Sequence, residues 1–192
     1  MKFNVHSHLW GKHAFLSASK YHWVNYDADL LITRYETDQA AKKGTQLHEL
    51  AAVLIEGRHK MARRKVALNQ FVNDAIGYAM EPEVLLYYSD NCFGTADAIR
   101  FDEATETQSG HLRIHDLKTG VTPVKMTQLE VYAAMFCLEY NQKPSEIDMT
   151  LRIYQGGDII EHIPDYTVID DIMFKIVEFD KILEEYKAGE MM

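Results

Sequence analysis

VLLYYSDNCFGTADAIRFDEATETQSGHLRIHDLKTG, residues 84–120, is the stretch on which the fold turns. Residues 84–89, 92–101 and 112–117 are rich in β-branched and aromatic side chains, and the polar residues 103–110 join the last two runs. This pattern predicts three successive strands, the third ended by Thr119-Gly120. Upstream, the period changes. Leu68, Phe71, Val72, Ala75, Ile76 and Ala79 recur at helical spacing, predicting a helix over 65–79 that Pro82 separates from the strands. A longer helix is expected over 37–63, capped by Thr37 or Asp38, and residues 15–20 open a first helix with Ser17 or Ser19 as its N-cap. Downstream, Pro123 falls near the first turn of a helix running to about 140. Residues 149–154 and 159–163 read as a hairpin around Gly156-Gly157, and an amphipathic helix over 168–186 closes the chain. Helices, three strands, helix, two strands, helix: that order predicts an α/β domain with a central mixed β-sheet flanked by helices.

A chain of 192 residues suits a single domain over 1–192, because single cores divide only beyond about 250 residues. At 47% hydrophobic and 26% charged, it is not a disordered chain. No apolar run approaches the roughly 18–20 residues that a membrane span needs. Residues 1–10 are polar and carry two histidines, unlike a secretory signal. Two cysteines, Cys92 and Cys137, supply neither a disulfide framework nor a four-thiolate iron–sulfur site. A cytoplasmic setting, with no membrane partner, is the expectation.

The formal charge of −9 argues, at the scale of the whole chain, against a polyphosphate partner. Locally the balance differs. Residues 42–65 hold seven bases against two acids, and residues 139–192 hold thirteen acids against five bases. A charge run is ordinarily a solvated face, and that is the reading for the C-terminal acids.

Four short segments carry chemistry. In Asp116-Leu-Lys118, two residues apart on a strand, a carboxylate and an ammonium project to one face. A carboxylate there can hold Mg²⁺ or Mn²⁺ and the ammonium can stabilise phosphate charge, although such a triplet also marks ordinary solvated strands. Asp97 sits in an apolar strand after Gly94-Thr. If its strand pairs with that of Asp116, two carboxylates converge, a costly arrangement unless a cation lies between them. Otherwise Asp97 caps a turn or meets Arg100 or Arg113. His48 follows Gly44 by one helical turn. It would complete a His/Asp/Asp set that the Leu117 backbone carbonyl and waters could extend to octahedral; a lone histidine is more often a core or surface residue. Glu49 points away and suits a solvated partner of nearby bases. Gln128 and Tyr132, four apart, share a helix face and could bond a phosphate or Lys118.

Order and spacing together resemble the RecB-like branch of the PD-(D/E)XK nuclease superfamily. Its pattern is G-x-x-x-H-E, G-x-x-D, D-x-K-T/S-G, Q-x-x-x-Y. Here these are Gly44…His48-Glu49, Gly94…Asp97, Asp116-Leu-Lys118-Thr-Gly120 and Gln128…Tyr132. Phe15-Leu-Ser-Ala-Ser…Trp23 looks like the opening of phage-type members, and the resemblance covers about residues 13–140. It implies a restriction-endonuclease-like core. It implies His48, Asp97, Asp116 and the Leu117 carbonyl as ligands of Mg²⁺ or Mn²⁺, with Lys118 catalytic alongside Asp116 and Asp97. Gln128 and Tyr132 would support the site, and the reaction would be phosphodiester hydrolysis. Many relatives hold an iron–sulfur cluster on four cysteines; with two, none is expected. His115 stands where members often have Pro, and alternation puts it on the other sheet face. No G-x-x-x-x-G-K-[ST] motif is present, so the nuclease would be stand-alone or borrow a motor from a partner.

For substrate, Arg58, Lys60, Arg63, Arg64 and Lys65 are the candidate DNA-backbone contacts. Tyr21, His22, Trp23 and Tyr26 are either core or a stacking surface for unpaired bases. The expectation is a metal-dependent exonuclease acting on single-stranded or duplex DNA ends in phage-type recombination, repair or replication, with a recombination or replication protein as a further partner. A non-catalytic end-binding module and a structure-specific endonuclease are the alternatives. If phage-encoded, the protein would work in the host cytoplasm.

Overall fold

The computed structural model describes residues 7–9 and 14–189. The expectation for the N-terminal stretch 1–10 lies, apart from 7–9, outside the described residues. The chain forms two compact units, Met1–Thr45 and Gln46–Met192.

In the first unit, residues 15–20 do not open an α-helix. A 3₁₀ segment spans Ala18–Asn25 with Lys20 out of helical geometry. Ser17 does not cap through its side chain: its hydroxyl lies 3.0 Å from that of Ser19, and its carbonyl accepts the Trp23 indole N–H at 2.9 Å. Tyr21 is exposed against the His22 ring, and Trp23 and Tyr26 are half-buried. Helix α1 covers Ala28–Glu56, starting nine residues before the expected 37. Asp27 is the reason: its carboxylate accepts the Leu30 N–H at 2.8 Å, an N-cap bond. Thr37 is interior instead, its hydroxyl donating to the Thr33 carbonyl. The helix also ends earlier than 63. Arg58 adopts φ +52, with His59 N–H returning to Leu54 O and Arg58 N–H to Ile55 O. That bond pair is a Schellman stop.

The second unit holds a five-stranded sheet in the order β1 (Glu81–Ser89), β2 (Cys92–Asp102), β3 (Gly110–Lys118), β4 (Ile147–Gln155), β5 (Asp158–His162). Neighbours run antiparallel except β3 and β4, which are parallel. The parallel pair needs a crossover; helix α3 (Thr127–Glu139) supplies it, beginning four residues after Pro123. Helix α2 (Ala67–Gly77) precedes the sheet and α4 (Tyr166–Lys187) follows it, capped by the Asp165 carboxylate on Thr167 N–H. Pro82 does not separate helix from sheet. It lies inside β1 opposite Ala98, on the edge strand, where a missing N–H is tolerated.

Alternation along β3 sorts the two cores. Leu112 and Ile114 join Leu129, Ala133, Phe136 and Ile169 beneath α3 and α4. Leu117 and Ala98 join Phe71, Val72 and Tyr154 against α2 and the end of α1. Each fully buried Leu or Ile contributes about 1.5–3 kcal/mol of burial. Both cores grip the same strand, so β3 is anchored on two faces. The expected α/β architecture, a central mixed sheet flanked by helices, is what the chain forms.

Candidate active site

Strands β2 and β3 pair from Asp102↔His111 to Ala98↔His115 and then part. Their next residues are Asp97 and Asp116. Instead of continuing the ladder, Asp97 turns its carboxylate into the gap, and Oδ2 accepts the Leu117 N–H at 2.8 Å. The two aspartates are thus brought together by the register of one hairpin. The alternative in which Asp97 meets an arginine fails, because Arg100 and Arg113 both bond Asp102.

Asp116 and Lys118 continue the row of Leu112 and Ile114 and project toward α3. The Lys118 ammonium lies 3.0 Å from both oxygens of Asp116 and donates a hydrogen bond to Oδ1. It also donates to Gln128 Oε1 at 2.9 Å, and Gln128 reaches the Tyr132 hydroxyl at 3.4 Å. Gly94 explains how Tyr132 fits: a Cβ there would stand 3.0 Å from the Tyr132 ring, tighter than ordinary contact. His48, on α1, places Nδ1 3.2 Å from Asp97 Oδ2. With Nδ1–H donating, Nε2 keeps its lone pair.

One residue of the site was not among the sequence candidates. Glu83 on β1 brings a carboxylate oxygen into a group with His48 and Asp97 in which one ligand atom from each lies within 4.8 Å of the others. Reading Pro82 as a break hid it. Its signal is register: the pairs Pro82↔Ala98 and Val84↔Ala96 bracket Glu83 and Asp97.

Three groups here hold protons more tightly than usual. The His48 pKa is raised, first by its hydrogen bond to Asp97 and further by the charges of Asp97, Asp116 and Glu83, against the effect of burial. Asp116 is raised by burial and then by Asp97, although Lys118 and His48 oppose this. Glu83 is raised by burial and then by Asp97. Burial leads for the two carboxyls, and the charge of Asp97 adds to the shift of all three. Asp116 Oδ2 is buried, and its counter-charge is the Lys118 ammonium 3.0 Å away.

His115 points to the opposite face. It is fully buried, shares a hydrogen bond with the Tyr154 hydroxyl at 3.1 Å, and stands edge-on to Tyr78. Burial, then Arg152 and Arg113, lowers its pKa to about 3. Glu49 is exposed and, contrary to expectation, enters no ion pair among the described residues.

Arg58, Lys60, Arg63, Arg64 and Lys65 lie on the connection between α1 and α2. Asn73 holds that connection by accepting the Met61 N–H at 2.8 Å and donating to the Met61 carbonyl at 3.0 Å. Lys60, Arg63, Arg64 and Lys65 line an open groove of about 510 Å³ with Asn73 and Asp74; Arg58 is instead part of the α1 stop. Lys65 pairs with Asp158 at 3.1 Å, and its backbone packs on Gly157. Because Lys118 is paired with Gln155 in β4, this groove sits at the sheet end where Lys118 emerges. Among the described residues, Arg58, Lys60, Arg63 and Arg64 enter no ion pair.

No protein-family model matches the chain, and no curated protein matches it. Among solved structures it matches the crystal structure of SSO0001, at 13% identity and a TM-score of 0.35 over 78% of this chain. The chain spans 65% of the length of SSO0001. Among the described residues, no helix is long and apolar enough to cross a membrane.

Proposed function

We propose that this chain is a divalent-metal-dependent DNA nuclease of the RecB-like PD-(D/E)XK type that hydrolyses phosphodiester bonds at DNA ends. The observation that carries this reading is the meeting of Asp97, Asp116 and Lys118 where β2 and β3 part, with His48 3.2 Å from Asp97.

The residues fit a hard divalent cation. Two carboxylates and an imidazole converge, with Asp116 buried beside the single ammonium of Lys118, a hard oxygen and nitrogen donor set that suits such an ion. His48, Asp97, Asp116 and the Leu117 carbonyl would hold Mg²⁺ or Mn²⁺, which when bound supplies Lewis acidity toward a phosphoryl oxygen and toward water. The other roles belong to the chain. Lys118, held between Asp116 and Gln128, offers its remaining N–H to the charge that builds on a phosphoryl oxygen in the transition state. Gln128 and Tyr132 keep the ammonium aimed. Asp97, through Leu117 N–H, locks the splayed geometry. Phosphates of the strand would lie along Lys60, Arg63 and Arg64, with Arg58 and Lys65 flanking. Action on ends, in phage-type recombination or replication in a cytoplasm, extends this reading from the resemblance.

The test uses 5′- and 3′-labelled single- and double-stranded DNA with Mg²⁺ or Mn²⁺. Hydrolysis should require the ion and fall at least about 100-fold in Lys118→Met while DNA binding persists. A folded wild-type protein that cuts none of these substrates would overturn the proposal.

A further inference from the structure

Resting on that reading of the site, we propose that Glu83 is a further protein ligand of the same divalent cation, closing the site on its solvent side. Glu83 belongs to the edge strand β1, outside the four motif segments. The antiparallel pairs on either side of it set it across from Asp97. One ligand atom each from Glu83, Asp97 and His48 lies within 4.8 Å of the other two. That spread suits a single ion, since two oxygens at opposite vertices of an octahedral Mg²⁺ shell stand about 4 Å apart.

Asp116 adds a buried carboxylate on the neighbouring strand. Asp116 is 3% exposed, and the Lys118 ammonium stands 3.0 Å from both of its oxygens. The formal charges agree with this membership. Glu83, Asp97 and Asp116 contribute three negative charges, and Lys118 contributes one positive charge. The surplus of two matches one divalent ion, whereas without Glu83 the surplus would be one. Position fits as well. Asp116 is buried, Asp97 and His48 are half-buried and Glu83 is exposed, so the four groups run from floor to rim. An imidazole within a carboxylate set also tilts selectivity, favouring Mn²⁺ over Mg²⁺.

Titration of the full chain with Mn²⁺, followed by calorimetry and by the electron paramagnetic resonance of free ion, tests this without DNA. Glu83→Gln should weaken Mn²⁺ binding at least about tenfold, since losing even an outer partner of a ligand costs that much. Glu81→Gln, on the same strand but outside the group, should leave it within twofold. Glu83 has φ +51, a conformation that Asn tolerates better than most residues. Glu83→Asn therefore carries the test if Glu83→Gln fails to fold. If Glu83 variants bind Mn²⁺ like wild type while Asp116→Asn loses it, Glu83 is not a ligand and the nuclease reading stands. If folded wild type binds no Mn²⁺ at all, both proposals fall.

Discussion

Asp116 shows at the scale of one residue how the proposed function would be held against stability. Its folded pKa is raised by burial and by Asp97. A carboxyl with a folded pKa above its unfolded one destabilises the fold when ionised at neutral pH. Asp116→Asn should therefore melt higher than wild type in metal-free buffer, by about 2–4 °C for each kcal/mol relieved, while hydrolysis is lost. Adding Mn²⁺ should raise the wild-type melting temperature and leave the variant's unchanged; calorimetric scans with and without the ion decide both points. His115 has the opposite sign. Its folded pKa of about 3 lies below the ordinary 6.5, so between those values the unfolded chain binds the extra proton. Stability should fall as pH drops through 6.5 toward 3. From pH 7 to 5 this one group removes about 2 kcal/mol. Urea unfolding at both pH values should show that His115→Gln loses about that much less over the step. Equal losses would refute the assignment.

At the scale of elements, the β4–β5 turn holds the basic connection in place. Gly156 and Gly157 both have positive φ, +63 and +110, but they differ in surroundings. Nothing lies within 4 Å of a Cβ at Gly156, whereas one at Gly157 would stand 2.6 Å from the Lys65 carbonyl. Gly156→Ala should cost about 1 kcal/mol, the ordinary penalty of a left-handed alanine. Gly157→Ala should cost about 3 kcal/mol or more, because turn and α1–α2 connection must separate. Denaturant unfolding measures the difference; equal costs would mean that the contact does not matter. The Gly-Gly turn was legible in the sequence, since a hairpin of this kind needs such residues. Its contact with residue 65 was not, because the two are about ninety positions apart and share no pattern.

At the scale of the whole molecule, charge segregation would set the conditions for the proposed DNA binding. The net charge is −9, yet four bases line one groove at the end of the sheet where Lys118 emerges. With so few contacts, binding should be modest and salt-sensitive. Replacing Arg63 and Arg64 by Ala should lower the slope of log affinity against log salt by about 2, at 0.9 per phosphate contact. Fluorescence anisotropy over a salt series measures this, and an unchanged slope would place the strand elsewhere.

Local pattern determined the element types on this chain. Alternation along 110–118 and helical spacing along 67–77 need only the chemistry of neighbouring residues, and so did the recognition of Asp116 with Lys118 and of Gln128 with Tyr132 as same-face pairs. Helix ends were less legible, because Asp27 and Arg58 act through single backbone bonds that leave no periodic trace. Only the tertiary structure decided which acids converge. Asp97 comes beside the strand end of Asp116 because β2 and β3 part after Ala98↔His115, and Glu83 approaches Asp97 and His48 because β1 lies antiparallel beside β2. Strand register is a property of pairs of segments, settled by how both faces of the sheet pack, and no single segment contains it.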